Sequence, residues 1–87
     1  MVVSIVIPNF NGEKILEKNL PKVIKAVGSS EIIVVDDASA DDSLRILNNF
    51  KLRIRIIKNE KNLGFASTVN KGVREAKRKN VCCRVYG

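Results

Sequence analysis

The sequence contains no histidine, no tryptophan and only two cysteines, which stand side by side as Cys82 and Cys83. Adjacent residues of a strand point to opposite faces, so an ordinary disulfide between these two side chains is sterically poor. Without histidine or a second cysteine pair, the ligand set of a zinc site is not supported either. We therefore expect both cysteines to be reduced and packed on a strand.

Long apolar runs are also absent from the chain. Its longest ones, such as residues 32–35 (IIVV), are far too short to cross a bilayer. The first residues show neither the basic start nor the long apolar region and small-residue cleavage site of a signal peptide. The expected localisation is therefore cytoplasmic.

Positive charge is concentrated in the second half of the chain. Residues 1–50 carry five Lys and Arg against seven Asp and Glu, whereas residues 51–87 carry eleven against two, a net charge of +9. Such a half can attract phosphates, nucleic acid or an anionic membrane surface. One alternative function is therefore a basic module that binds RNA or another polyanion. Against it, this half contains only two aromatic side chains, Phe65 and Tyr86, on which bases can stack.

Strand-like and helix-like segments alternate along the whole sequence. Residues 2–7 and 31–35 are β-branched or apolar runs, and each is followed by apolar residues at the three-to-four spacing of a helix. Residues 53–57 predict a third strand nearer the sheet edge, and residues 81–85 a fourth. Between them a third helical pattern carries Phe65, Val69, Val73 and Ala76. This alternation predicts an α/β fold with a parallel sheet and helices on both faces, in three layers.

Three residues mark where the predicted helices begin, bend or end. Pro21 lies inside the first helical pattern and predicts a kink or the start of a second segment, whereas Gly28 closes that helix. Ser39 or Asp41 is expected to be the N-cap of the second helix.

The chemistry is expected in the loops at residues 8–12, 36–40 and 59–64, because parallel sheets bind ligands beyond the carboxyl ends of their strands. Asp36 and Asp37 can accept hydrogen bonds from a ribose hydroxyl or a base N–H, or equally serve as acids near a helix N-terminus. Phe10 either offers an apolar face to a base or anchors its loop. The first loop lacks the glycines of a dinucleotide-binding motif, and the Lys-Ser/Thr of a P-loop is missing as well.

Three segments, in this order and spacing, resemble the successive signatures of family 2 glycosyltransferases: residues 3–12 (VSIVIPNFNG), 33–41 (IVVDDASAD) and 62–72 (NLGFASTVNKG). The resemblance implies the Rossmann-like GT-A fold with strand order 3-2-1-4. It also implies a UDP-sugar or other NDP-sugar as the partner, and transfer of the sugar to an acceptor as the family activity.

The resemblance assigns nucleotide-binding roles to six residues of this sequence. Pro8, Asn9 and Phe10 would line the base, and Asp37 would accept a hydrogen bond from it. Asp36 would support the loop or the ribose, and Gly64 would let the third loop approach the nucleotide. Three further positions have structural roles in the family: Asp41 would cap the following helix, and Asn70 and Gly72 would pack the third helix.

The sequence departs from the family pattern at the fourth strand. There the family has an acidic D-x-D motif that binds Mn²⁺ or Mg²⁺, whereas residues 80–87 read NVCCRVYG and the last acid is Glu75. We therefore expect no catalytic residue, metal ligand or cofactor in this chain. Residues 1–87 would form a single partial domain, the N-terminal nucleotide-binding portion truncated before the motif.

We expect this chain to bind NDP-sugars weakly, to be inactive by itself and to have no nucleic-acid partner. The resemblance leaves open a peripheral membrane association of a full-length relative. A phosphoacceptor receiver domain also displays paired acids at strand ends, but there the pair follows the first strand. Here Asp36 and Asp37 follow the second, which disfavours that class.

Overall fold

A computed structural model describes residues 3–78 and 80–84 of the chain. Strands and helices alternate over this part, as the sequence predicts. The elements are β1 (Ser4–Asn9), α1 (Glu13–Val27), β2 (Glu31–Asp36), α2 (Ser43–Asn48), β3 (Arg55–Lys58), α3 (Phe65–Glu75) and β4 (Val81–Cys83).

The four strands form one parallel sheet in the order β3-β2-β1-β4, which confirms the predicted topology. Asn9 of β1 pairs with Asp36 of β2, and Asp36 pairs with Lys58 of β3. These three residues end their strands, so the carboxyl ends of β1, β2 and β3 lie side by side at one end of the sheet. The three loops that carry the candidate site therefore start next to one another.

The core lies on both faces of the sheet because alternate strand residues point to opposite sides. One face carries side chains such as Ile5 and Ile32, which pack with Leu16 and Leu20 of α1 and with Leu47 of α2. The opposite face carries a smaller cluster formed by Val6, Ile33 and Val35. Helix α3 covers this second face and completes a three-layer arrangement, which explains why the central strands are apolar without alternation.

Helix α3 packs on the sheet through its small residues. Its buried residues are Thr68 and Gly72, whereas Phe65 is 60% exposed and Val73 is 42% exposed. A Cβ atom at Gly72 would lie 3.0 Å from Cγ2 of Val35, with Val6 closer still. The predicted packing role of Gly72 is thus confirmed, whereas Asn70 is exposed and the expected packing role for it is wrong.

Several local predictions are changed by contacts in the folded chain. Helix α1 continues through Pro21 and ends at Gly28, which has φ +58°. Strand β3 begins two residues later than predicted, because the backbone N–H groups of Arg53 and Ile54 still bond to the carbonyl of Phe50. Both cysteines are free but exposed, since all three residues of the short edge strand β4 are exposed. The expectation that they pack is therefore wrong. Residue 79 and residues 85–87 of the predicted last segment lie outside the described residues.

Candidate functional site

A cavity of about 350 Å³ opens at the carboxyl ends of the strands, between the first and third loops. Five of the six residues that the resemblance assigns to the nucleotide line it, and Asp36 is the one that does not. Its lining residues are Pro8, Asn9, Phe10, Asp37, Asn62, Gly64, Phe65 and Thr68.

Asp37 is the charged residue of this cavity, and the third loop wraps around its carboxylate. Oδ1 accepts hydrogen bonds from the backbone N–H of Leu63 at 2.7 Å and from Nδ2 of Asn59 at 2.9 Å. Oδ2 accepts the N–H of Gly64 at 3.0 Å. A carboxylate offers about four acceptor positions, and these three donors occupy three of them.

These contacts also determine the charge of Asp37. Burial raises the pKa of its carboxyl, but the hydrogen bonds from the third loop and from the Thr68 hydroxyl outweigh that effect. The pKa therefore lies below its ordinary value of 3.8, and the group is ionised at neutral pH. Asp37 is consequently an acceptor and not a donor toward any ligand in the cavity.

Asp36 points away from the cavity, and only 1% of it is exposed. Its Oδ1 accepts Nδ2 of Asn9 at 2.9 Å and the Ser39 hydroxyl at 2.6 Å, and its Oδ2 accepts the Ser39 backbone N–H at 3.0 Å. The resemblance allows Asp36 to support either the loop or the ribose, and these contacts favour the first role, support of the loop. Asp36 is not among the residues that line the cavity.

The first and second loops are joined into one unit. The Asn9 carbonyl accepts the N–H of Asp37 at 2.8 Å, while the Ser39 hydroxyl accepts the N–H of Asn11 at 2.9 Å. Asp41 accepts the N–H of Ser43, the first residue of α2, at 2.9 Å, and the N–H of Glu13, the first residue of α1, at 3.1 Å. The N-cap residue of α2 is Asp42, so the expectation that Ser39 or Asp41 is the N-cap is wrong. Asp41 lies one residue before the cap and still accepts the first N–H of α2, and it does the same for α1.

Phe10 and Phe65 give the cavity its apolar surface. Phe10 is 54% exposed and lies in the first loop, so it is not a core anchor. Phe65 is the first residue of α3 and is also largely exposed. Two large aromatic side chains left open to solvent around an ionised acceptor suit a planar ligand that carries N–H groups.

Gly64 lines the cavity and bonds to Asp37, and the structure shows a reason for glycine other than the approach of a nucleotide. Its φ is +91° and its ψ is 167°, a conformation that is essentially restricted to glycine. A Cβ atom at this position would meet nothing within 4 Å. Backbone conformation therefore requires this glycine, and the close approach of a nucleotide to it stays a prediction.

The model of glycosyl transferase family 2 matches residues 4–83 of the chain. The chain belongs to this family. It is 34% identical over 80 residues to glycosyltransferase GlyG of Streptococcus pneumoniae, a match that covers 87% of this chain and 27% of GlyG.

Solved structures of glycosyltransferases have the same fold. Residues 1–349 of TarS of S. aureus, in complex with UDP-GlcNAc, superpose with a TM-score of 0.86 at 25% identity, over 98% of this chain and 26% of that chain. Mannosyltransferase PcManGT from Pyrobaculum calidifontis, in complex with GDP-Man and Mn²⁺, superposes with a TM-score of 0.82 at 22% identity, over 91% of this chain and 25% of that chain. The chain thus spans about a quarter of the length of the relatives it matches.

The described residues do not fit the divalent cation that glycosyl transferase family 2 implies. Mn²⁺ and Mg²⁺ take oxygen ligands, above all carboxylates. No three Asp, Glu, His or Cys residues of the described ranges lie close enough together to hold a metal ion. Glu75, the last acid of the sequence, forms an ion pair with Arg55 at 2.5 Å instead.

Five residues of the site were not assigned a nucleotide-binding role from sequence: Asn59, Asn62, Phe65, Thr68 and Lys71. Asn59 is the first residue after β3, the same position relative to its strand as Asp37 after β2, and this placement is the signal that singles it out. Thr68 and Lys71 lie in the middle of α3, where no local pattern distinguishes them from ordinary helix residues.

Within the described ranges, no helix is both long and apolar enough to span a membrane.

Proposed function

We propose that this chain binds the nucleotide part of an NDP-sugar in the cavity at the carboxyl ends of β1 and β2, as the nucleotide-binding portion of a glycosyltransferase. The observation that carries the proposal is the ionised Asp37 at the wall of a cavity flanked by Phe10 and Phe65. The aromatic faces suit a base, and the carboxylate suits a ring N–H of that base.

Because Asp37 is an acceptor, it discriminates among bases. Uracil carries an N–H at ring position 3 and guanine at ring position 1, whereas cytosine presents an unprotonated acceptor nitrogen at position 3. The sugar nucleotides in the TarS and PcManGT structures, UDP-GlcNAc and GDP-Man, both carry such a ring N–H. We therefore propose UDP or GDP as the nucleotide, with UDP preferred because a pyrimidine needs less of the cavity.

The affinity is expected to be low. The described residues contain no carboxylate cluster that holds a cation on the diphosphate, so the base and ribose provide most of the contacts. We expect a dissociation constant of about 1 mM, which corresponds to about −4 kcal/mol.

A titration of the ¹⁵N-labelled chain with UDP tests this function by NMR. We expect saturable shifts at residues around the cavity, and much smaller shifts with CDP at the same concentration. Phe10→Ala removes an exposed aromatic face and should weaken UDP binding without unfolding the chain, because the side chain is 54% exposed. The matched control is Leu52→Ala. Leu52 is 94% exposed and lies before the amino end of β3, whereas the cavity lies at the carboxyl ends of the strands.

The proposal is wrong if UDP and CDP shift the same residues equally, or if Leu52→Ala weakens binding as much as Phe10→Ala. A salt-dependent mobility shift of RNA without any UDP response would support the alternative, a polyanion-binding module that uses residues 51–87.

We further propose that the 87 residues transfer no sugar by themselves. Transfer from a sugar nucleotide needs stabilisation of the diphosphate leaving group and a base for the acceptor hydroxyl. The sequence contains no histidine, and no carboxylate follows Glu75. The measurement is release of UDP from UDP-sugars with Mn²⁺ and a panel of acceptors, and release above that of a heat-denatured control contradicts the proposal.

A further inference from the structure

The side chain of Asn59 links a buried carboxylate to an amine on α3. Asn59 is 5% exposed, and its Nδ2 donates to Oδ1 of Asp37 at 2.9 Å and to the hydroxyl of Thr68 at 3.2 Å. Its Oδ1 accepts Nζ of Lys71 at 3.0 Å. Its backbone N–H donates to the carbonyl of Asp36 at 2.8 Å. Every polar group of this side chain thus has a partner within the site.

The two charged partners leave only one orientation for the amide of Asn59. An ammonium group can only donate hydrogen bonds, and an ionised carboxylate can only accept them. Rotating the amide by half a turn would direct its oxygen at the Asp37 carboxylate and its NH₂ group at the Lys71 ammonium. Both contacts would then be repulsive, one of them with the buried Asp37 carboxylate and the other with the half-buried Lys71 ammonium, and unpaired polar groups cost most where they are buried.

We infer that Lys71 is a positioning residue of the nucleotide-binding site: its ammonium holds the Asn59 amide with the NH₂ group toward Asp37 and so keeps the carboxylate at the cavity wall. The inference rests on the proposed function. Lys71 does not line this cavity, and it acts on the nucleotide only through Asn59.

Packing of α3 places Lys71 for this role. Lys71 directly precedes Gly72, the glycine at which the helix backbone lies closest to the sheet. It also lies three residues after Thr68, so both side chains reach the same amide from one face of the helix. Lys71 thus lies beside the residue at which α3 contacts Val6 and Val35 closely, and its Nζ lies 3.0 Å from Oδ1 of Asn59.

A second lysine offers a matched control. A groove next to the cavity is lined by Lys71 and Asn59 together with Lys58, Glu60 and Lys61. Among the described residues Lys61 makes no hydrogen bond, and it is exposed. Replacing Lys61 or Lys71 by methionine removes the same charge from the same groove, but only the second change removes the donor to Asn59.

The test compares Lys71→Met, Lys71→Arg and Lys61→Met by NMR. The first readout is the pair of side-chain NH₂ signals of Asn59 in the nucleotide-free chain, and backbone signals of α3 report that the fold is intact. The second readout is the dissociation constant for UDP. We expect Lys71→Met to move the NH₂ signals and to weaken UDP binding about tenfold, the scale of one hydrogen bond to a charged group. The Lys71→Arg variant should keep the wild-type NH₂ signals of Asn59 and the wild-type affinity for UDP, and Lys61→Met should change neither the signals nor the affinity.

Two results would overturn the inference. In the first, Lys71→Met leaves the NH₂ signals of Asn59 and the UDP affinity unchanged. In the second, Lys61→Met weakens UDP binding as much as Lys71→Met, which would show general attraction of the diphosphate by positive charge. If the wild-type chain does not bind UDP at all, the proposed function fails, and the NH₂ signals then decide by themselves whether Lys71 positions this amide.

Discussion

Replacing Asp37 by asparagine removes the charge at the centre of the site while keeping its shape. The amide oxygen of the new side chain can still accept the N–H of Leu63 and Nδ2 of Asn59, as Oδ1 of Asp37 does. Its NH₂ group then faces the N–H of Gly64, which bonds to Oδ2 in the wild-type chain. One buried donor therefore loses its acceptor, and two hydrogen bonds lose the charge that strengthens them.

The size of the effect follows from these three contacts. An unsatisfied buried donor costs about 1–3 kcal/mol, and each of the two retained bonds loses about 1 kcal/mol when its acceptor becomes neutral. Relief from burying a charge offsets part of this loss. We expect Asp37→Asn to lower the free energy of unfolding by about 2–3 kcal/mol. A chain of this length has about 4–13 kcal/mol in total, so the variant stays folded at low denaturant.

Urea denaturation followed by circular dichroism measures this change. The control is Asp42→Asn, which removes a carboxylate in an exposed ion pair with Arg45 at 3.2 Å and should cost less than about 0.5 kcal/mol. A loss below about 1 kcal/mol for Asp37→Asn would refute the reasoning, because it would mean that the three donors are satisfied without the carboxylate.

The difference in unfolding free energy between the wild type and Asp37→Asn should depend on pH. The folded pKa of Asp37 is depressed, because the hydrogen bonds it accepts outweigh the effect of burial. Its contribution to stability is therefore complete above the unfolded pKa and is lost as the pH falls through the folded value. The difference between wild type and Asp37→Asn should shrink as the pH falls from about 5 to about 3. Glu31 and Asp41 also have lowered pKa values, since their hydrogen bonds outweigh burial, but they are present in both proteins. A difference that is constant with pH would contradict this account.

Two glycine substitutions separate crowding from backbone strain, and urea denaturation measures both. Gly72→Ala gains about 1 kcal/mol of helix propensity. Its new Cβ atom would lie 3.0 Å from Cγ2 of Val35 and nearer to Val6, so overpacking that costs about 1–3 kcal/mol should make the variant less stable than the wild type. A more stable variant would disprove the tight contact. Gly64→Ala meets no atom within 4 Å, yet alanine at φ +91° should cost about 1–3 kcal/mol from strain alone. An unchanged stability there would show that the loop adopts another conformation.

Much of the fold was open to prediction because its cause is local. The apolar runs at residues 2–7 and 31–35 are long enough for strands and apolar on both sides, which indicates a sheet covered on two faces. Gly28 marks the end of α1 because the chain there turns into a left-handed conformation that glycine adopts easily. Pro8, Asn9, Phe10, Asp37 and Gly64 of the motif segments line one cavity, and their binding of a nucleotide stays a prediction. The strand order came from the family resemblance, since alternation alone predicts only that the sheet is parallel.

The family resemblance assigned Asp37 to the base and Asp36 to the loop or the ribose, but the contacts that distinguish the two acids are visible only in the tertiary structure. In the sequence they are adjacent and chemically identical, and both were equally suited to a ligand or a helix start. In the folded chain Asp36 is bonded within the first two loops, whereas Asp37 is enclosed by a loop more than twenty residues further on. Neither of them caps α2, because the N-cap residue is Asp42 and Asp41 accepts the N–H of Ser43.

The same holds for the contacts of α3 with the site. Phe65, Val69 and Val73 are spaced four residues apart, which suggests that they form the buried face of the helix. The residues of α3 that are buried against the sheet are Thr68 and Gly72 instead. Which face is buried depends on how closely the two backbones approach, and no local pattern records that distance. Residue types and their periodicity thus determined the strands, the helices and the loops that carry the chemistry. The partners of each polar side chain depended on strand register and on helix-to-sheet packing, which bring together residues that are distant in the chain.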